Sequence, residues 1–163
     1  MNSPRSAAVD ADGPGLPAGE FGEAVAGAFA LGTGALARRP GYVPRQSQQD
    51  MARSIAECIA SRGTLVAEAG TGTGKTFAYL VPALLSGART LISTGTRHLQ
   101  DQLVGRDLPA LAASLGVATH VAVLKGRANY VCHHHLERNL LEGRFERRED
   151  VAMLRRIERF AAL

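Results

Sequence analysis

The chain has 163 residues, 19 Lys plus Arg against 15 Asp plus Glu, a net charge of +4, and is 45% hydrophobic and 21% charged. That balance points to one soluble globular domain and excludes disorder throughout. No apolar run approaches the roughly 18 residues that a membrane-spanning helix needs, because the best candidate, Ala24 to Ala37, is interrupted by Gly27, Gly32 and Gly34.

The same stretch does not suit a secretion signal. Glu20 and Glu23 stand where a positive segment belongs, and Arg38-Arg39-Pro40 follows. The expected compartment is the cytoplasm, with no membrane partner. Two cysteines, Cys58 and Cys132, are too few for a disulfide framework.

Residues 1–40 are rich in Ala, Gly and Pro, and are expected to form a mobile leader with at most a short helix around Phe21 to Leu36. From Ser47 onward Met51, Ile55, Cys58 and Ile59 recur at helical spacing, so a helix capped by Ser47 is predicted with Cys58 on its apolar stripe. Thr64 to Glu68 is β-prone, a glycine-dense turn follows, and a helix is expected from about Lys75 to Ser86. An interior proline removes a hydrogen bond, so Pro82 predicts a kink or an early end. Thr90 to Thr94 is a second strand candidate. Strand, helix and strand within about 30 residues have the size of a βαβ unit, hence a parallel sheet.

Asp107, with Pro109 in the first turn, predicts a capped helix bearing Leu108, Leu111 and Leu115 and stopped by Gly116. His120 to Leu124 is the third strand candidate. The residues after Cys132 are strongly charged, with Val151, Leu154, Ile157 and Phe160 spaced for an amphipathic helix.

The chemistry concentrates in Ala69-Gly70-Thr71-Gly72-Thr73-Gly74-Lys75-Thr76, which fits the Walker A pattern except that Ala69 replaces the first Gly. Placed between a strand and a helix, its backbone N–H groups can wrap a polyphosphate at the positive end of the helix dipole. Glycines at 70, 72 and 74 allow positive φ and close approach. Lys75 would reach the β and γ phosphates, and the Thr76 hydroxyl would hold Mg²⁺. These two residues are the candidate catalytic pair. A Rossmann dinucleotide site fits less well, because Gly-Lys-Thr follows and no acidic residue ends the next strand.

Several ordered motifs, Glu68 to Thr76, Leu91-Ile-Ser-Thr-Gly-Thr96, Leu99-Gln-Asp-Gln-Leu103, Arg106-Asp-Leu-Pro109 and Leu124-Lys-Gly-Arg-Ala-Asn-Tyr-Val-Cys132, resemble the iron–sulfur DNA helicases of the DinG and XPD group in superfamily 2. The pattern is similar to the bacterial YoaA-type branch most of all. It covers about Tyr42 to Glu137.

The resemblance implies an α/β, RecA-like P-loop NTPase fold: residues 41–124 as the N-terminal part of an incomplete ATP-binding domain and 125–163 as the start of a truncated helical iron–sulfur domain. It implies an ATP-dependent enzyme moving 5′ to 3′ on single-stranded DNA, with replication or repair proteins as partners. Arg45 and Gln48 are then the adenine-recognising pair, a role the Gln amide suits because it both donates and accepts. Thr94, Gly95 and Thr96, with Gln102 nearby, would touch the single-strand backbone, and Arg127 and Tyr130 would add charge and a stacking ring. An N-terminal cap by Thr94 or Thr96 is compatible with this. Cys132 would be the first of four ligands of a four-iron four-sulfur cluster, whereas His133-His-His135 reads as solvated surface because three consecutive residues cannot face one ion on a helix.

The sequence departs from the family pattern by lacking an apolar strand ending in Asp-Glu and a second RecA-like domain, so an N-terminal fragment, inactive alone, is expected. The alternative is a non-catalytic nucleotide- or nucleic-acid-binding module. A small P-loop kinase would leave Ser93 to Thr96 and Lys125 to Cys132 without a role.

Overall fold

A computed structural model describes residues 17–162, and the leader preceding Pro17 lies outside them. The chain falls into two units that divide between Val121 and Ala122.

In the first unit, α1 (Ala18–Ala28) begins within the expected leader. Phe21, Val25, Ala28 and Phe29 follow one another at i, i+4, i+7 and i+8, the spacing of one helical stripe, and all four are buried in the core, Phe29 to 1% exposure. A short 3₁₀ turn, Ala35–Arg38, then buries Leu36 completely. Residues 18–38 are therefore packed, not a mobile leader. The physical reason is the aromatic pair Phe21 and Phe29, whose burial outweighs the helix cost of the intervening Gly22 and Gly27.

Helix α2 (Gln46–Ala60) has Arg45, not Ser47, at its cap position, and no side chain caps it. Its innermost line is Gln48, Ala52 and Ala56, with Met51 packed alongside, while Ile59 is 38% exposed. The stripe of larger apolar residues is thus rotated off the centre of the contact. Two alanines there allow α2 to approach α3 closely, and these two helices share the most extensive contact in the fold. Cys58 is half-buried.

Helix α3 (Lys75–Leu85) buries Ala78, Leu80, Val81 and Pro82. It continues through Pro82 and ends at Leu85. Next come α4 (Arg97–Gln102), a π-helical turn (Leu103–Asp107) and α5 (Leu108–Leu115), one after another without a break. Thr96 caps α4 by accepting from the Leu99 N–H at 3.2 Å. Pro109 in the first turn and Gly116, left-handed at φ 68°, bound α5 as the sequence predicts. Asp107 occupies its N-cap position, as expected, but its side chain makes no capping hydrogen bond. Leu108 and Leu111 join the common core with α1, α2 and α3.

The parallel sheet is the expectation that the structure does not bear out: among the described residues there is no strand. Thr64 to Glu68, Thr90 to Thr94 and His120 to Leu124 are irregular, and Val66, Leu91 and Leu124 are 93%, 95% and 84% exposed. A parallel strand needs ladder partners and helices on both of its faces. These runs have the composition for that setting and lack the neighbours.

In the second unit a 3₁₀ turn (Arg127–Asn129) precedes α6 (His133–Glu142) and α7 (Arg148–Ala161), which pack on each other. Leu136 is buried, while on α7 Val151 and Phe160 remain 38% and 69% exposed. No helix among the described residues is long and apolar enough to cross a membrane.

Candidate nucleotide-binding site

The loop from Ala69 to Gly74 leads directly into α3, whose first residue is Lys75. Its cap residue, Gly74, adopts φ 84° and ψ 25°, and Gly72 adopts φ 77°. Both lie in the left-handed region that costs a side-chain-bearing residue about 1–2 kcal/mol. Gly70 is not among the positive-φ residues, so only two of the three glycines are used in the expected way. Open space surrounds the Cβ position of Gly70 and of Gly72. At Gly74 a Cβ would instead fall on the Gln48 amide. Gly74→Ala should therefore lower stability by at least about 1–2 kcal/mol from backbone strain alone, measurable as a lower midpoint in urea with an unchanged slope.

Lys75 is half-buried, and its ammonium donates to the carbonyl oxygens of Ala69 and Gly70, the latter at 2.8 Å. The cation is thus folded back onto the loop. Thr73 donates to Gly70 O at 3.0 Å and tightens the same turn. The first N–H groups of a helix have no acceptor within it, so the start of α3 combines free donors, a glycine-lined approach and a cation. That set fits a polyphosphate. Thr76, one residue into the helix, has a hydroxyl of the type that takes a place on Mg²⁺. It also bonds the phenol of Tyr79; that phenol is pushed up from its ordinary pKa chiefly by burial, against the Thr76 bond, with the Asp107 carboxylate raising it further.

Of the adenine pair, Arg45 is exposed and Gln48 is only 3% exposed. Gln48 accepts from the Tyr42 hydroxyl at 3.0 Å and donates through Nε2 to Gly74 O at 3.0 Å. Burial raises the Tyr42 pKa while the Arg45 cation opposes that shift. The structure therefore brings Gln48 onto the phosphate loop and leaves Arg45 at the surface.

Among the DNA candidates, Gly95 and Thr96 are exposed, and Thr94 donates to Thr96 O at 3.2 Å. Gln102 donates to the buried Asp107 at 2.8 Å, and Arg106 pairs with the same carboxylate at 2.9 Å. Asp107, 4% exposed, is an internal acceptor across the π-helical turn rather than a capping acceptor. Gln102 and Asp107 stand five residues apart, the i→i+5 step that defines a π-helix. In the second unit Arg127 is exposed, and the Tyr130 hydroxyl accepts from the Lys125 N–H at 2.9 Å. Cys132, exposed, stands at the N-terminal cap of α6 with His133, His134 and His135 solvated beside it. Among the described residues no group of three His, Cys, Asp or Glu could hold a metal ion, and the sequence has two cysteines in all, so these residues do not fit a four-cysteine cluster by themselves.

Residues 47–142, which include the phosphate loop and both candidate DNA segments, match the DEAD/DEAH box helicase family. The chain belongs to that family. Membership implies a P-loop NTPase fold. The chain is 52% identical over 103 residues to the ATP-dependent DNA helicase YoaA of Haemophilus influenzae and 50% identical over 104 residues to YoaA of Escherichia coli, 63% and 64% of this chain. It is 47% identical over 100 residues, 56% of this chain, to the ATP-dependent helicase DinG of Mycobacterium tuberculosis. It spans 16% of the length of each YoaA helicase and 15% of DinG. No solved structure matches it significantly.

Proposed function

We propose that the chain supplies the ATP-binding part of an ATP-dependent DNA helicase, with MgATP held at Gly70 to Thr76 and its hydrolysis coupled in the whole protein to 5′ to 3′ movement on single-stranded DNA. The observation that carries this is the left-handed Gly72 and Gly74 leading straight into Lys75 at the start of α3. A phosphate chain entering there exchanges the two carbonyls now facing the Lys75 ammonium for anionic oxygens, a charge-assisted and stronger pairing. Thr76 then holds Mg²⁺, and Arg45 lies toward the base.

Thr94, Gly95, Thr96 and Gln102 form the proposed contact with the DNA backbone in the first unit. Arg127 and Tyr130 form another in the second, where stacking and charge need no base-specific hydrogen bonds. Cys132 is proposed as one ligand of an iron–sulfur cluster whose other ligands lie elsewhere in the longer protein. A cytoplasmic setting belongs to this reading, since Cys58 and Cys132 are both free thiols suited to a reducing compartment. Replication or repair proteins are the proposed partners.

The test is a titration of the folded chain with a fluorescent ATP analogue and Mg²⁺. Saturable binding that unlabelled ATP displaces is expected. A folded chain that binds no nucleotide would overturn the reading.

A further inference from the structure

We propose that Arg106 is a phosphate-binding residue for single-stranded DNA, and that the buried Asp107 carboxylate positions it for that contact. The proposal deepens the DNA-contact part of the helicase reading and rests on it.

The segment Leu103–Asp107 winds as one π-helical turn between α4 and α5, and such single turns are frequent at functional sites. Asp107 is 4% exposed, and a buried carboxylate has to be satisfied by donors. Its two oxygens are divided between two side chains. Oδ2 accepts from Gln102 Nε2 at 2.8 Å, and Oδ1 accepts from Arg106 Nε at 2.9 Å.

The contact through Nε decides what is left over. A guanidinium carries five N–H donors, and Asp107 takes the single one on Nε because its other oxygen is held by Gln102. The Arg106 side chain is 70% exposed against 5% for Asp107. The inner end of the guanidinium is therefore tied to the core while the group as a whole stays open to solvent. A planar fork held in one direction matches the free oxygens of a phosphodiester. Holding it before the strand arrives also reduces the side-chain entropy lost on binding.

The approach to this fork is clear. Gly105, immediately before it, is exposed, and nothing lies within 4 Å of the position its Cβ would take. The run from Thr96 through α4 to Arg106 is unbroken helix, about 15 Å at the usual rise. A strand that crosses Thr94 to Thr96 and follows the helix reaches Arg106 within a few nucleotides. Gln102 spends one N–H on Asp107 and can add a hydrogen bond, but no charge. Arg106 supplies the charge, and a phosphate contact of this kind holds the strand without reading its bases.

The test is binding of oligo-dT to the full chain, wild type and variants, over a range of KCl concentrations. Melting curves set a temperature at which each protein is folded. Each phosphate neutralised on a single strand contributes about 0.7 to the slope of log K against log salt. Arg106→Ala should therefore flatten that slope by about 0.7 and weaken binding about 3- to 10-fold. Arg53→Ala is the comparison, since it removes another exposed arginine paired with an aspartate, Asp50, and should leave the slope unchanged. Asp107→Asn should weaken binding about 2- to 5-fold even though it removes a negative charge. Tighter binding by Asp107→Asn would mean that the carboxylate only competes for Arg106, and would overturn the positioning role. Should that variant not fold, Arg106→Lys decides in its place: the slope returns with the charge, while affinity stays below wild type without the Nε tether. Full recovery of affinity would overturn the positioning role. An equal change of slope in Arg53→Ala would overturn the phosphate contact. A folded wild-type chain that binds no oligo-dT would overturn the DNA-contact reading and this proposal together, whereas wild-type binding with an unchanged slope in Arg106→Ala overturns only this one.

Discussion

Replacing Phe29 with Ala is expected to destabilise the chain by about 3–5 kcal/mol, the range for truncating a large aromatic side chain in a core. Phe29 is 1% exposed and belongs to the same cluster as Ala52, Ala56, Leu80 and Leu111, which come from α2, α3 and α5. Its removal leaves a void bordered by helices that position the phosphate loop, so the void cannot close without moving them. A domain of ordinary stability, about 5–15 kcal/mol, would lose a large part of its margin. Urea unfolding followed by far-ultraviolet circular dichroism checks this directly. A change below about 1 kcal/mol would mean that residues 18–38 are a dispensable leader after all, since surface substitutions usually stay within ±0.5 kcal/mol.

The Phe29 case also shows where the sequence was hard to read. Phe21, Val25, Ala28 and Phe29 carry a helical stripe, yet Gly19, Gly22 and Gly27 dilute it, and glycine is a poor helix former. Tertiary burial decided against local propensity. Helix α5 was legible to the residue, because Pro109 and Gly116 act through their own backbone geometry and need no distant partner. Helix α2 was legible as a helix but not in its orientation: hydrophobic spacing weights Ile59 over Ala52, whereas packing at close range favours the smaller residue.

The β-prone segments mark the opposite limit. Leu65, Val66, Leu91, Ile92, Val121 and Val123 have the composition of buried parallel strands, but a strand exists only when another backbone completes its ladder. Composition states what a segment can become, while pairing depends on what lies beside it. Asp107 illustrates the same dependence at one side chain. A carboxylate beside Pro109 is a reasonable helix cap, and only the π-helical turn shows that Gln102 and Arg106 hold it instead. At the site, the loop glycines and Lys75 were readable from their spacing alone. The engagement of Gln48 by Tyr42 and Gly74 was not, because residues 26 positions apart meet there.

Lys75→Ala is expected to weaken binding of MgATP by roughly 30- to 100-fold, corresponding to about 2–3 kcal/mol for the loss of charged hydrogen bonds to phosphate. The ammonium is the cation at the mouth of the loop, and its present acceptors, Ala69 O and Gly70 O, are backbone groups that any phosphate oxygen outcompetes by charge. Stability should change little by comparison. Removing Lys75 returns two carbonyls to water, and Gly70 is exposed. The pair of measurements therefore separates function from folding: an unshifted melting curve with binding lost places Lys75 on the nucleotide. Equal affinity in wild type and variant would remove the phosphate-binding role of this lysine, whatever the rest of the loop resembles. Lys75→Arg sharpens the comparison, because it keeps the charge but replaces a compact ammonium with a planar fork. If position as well as charge matters at the start of α3, Arg restores only part of the affinity, and a full restoration would reduce the role of Lys75 to its charge.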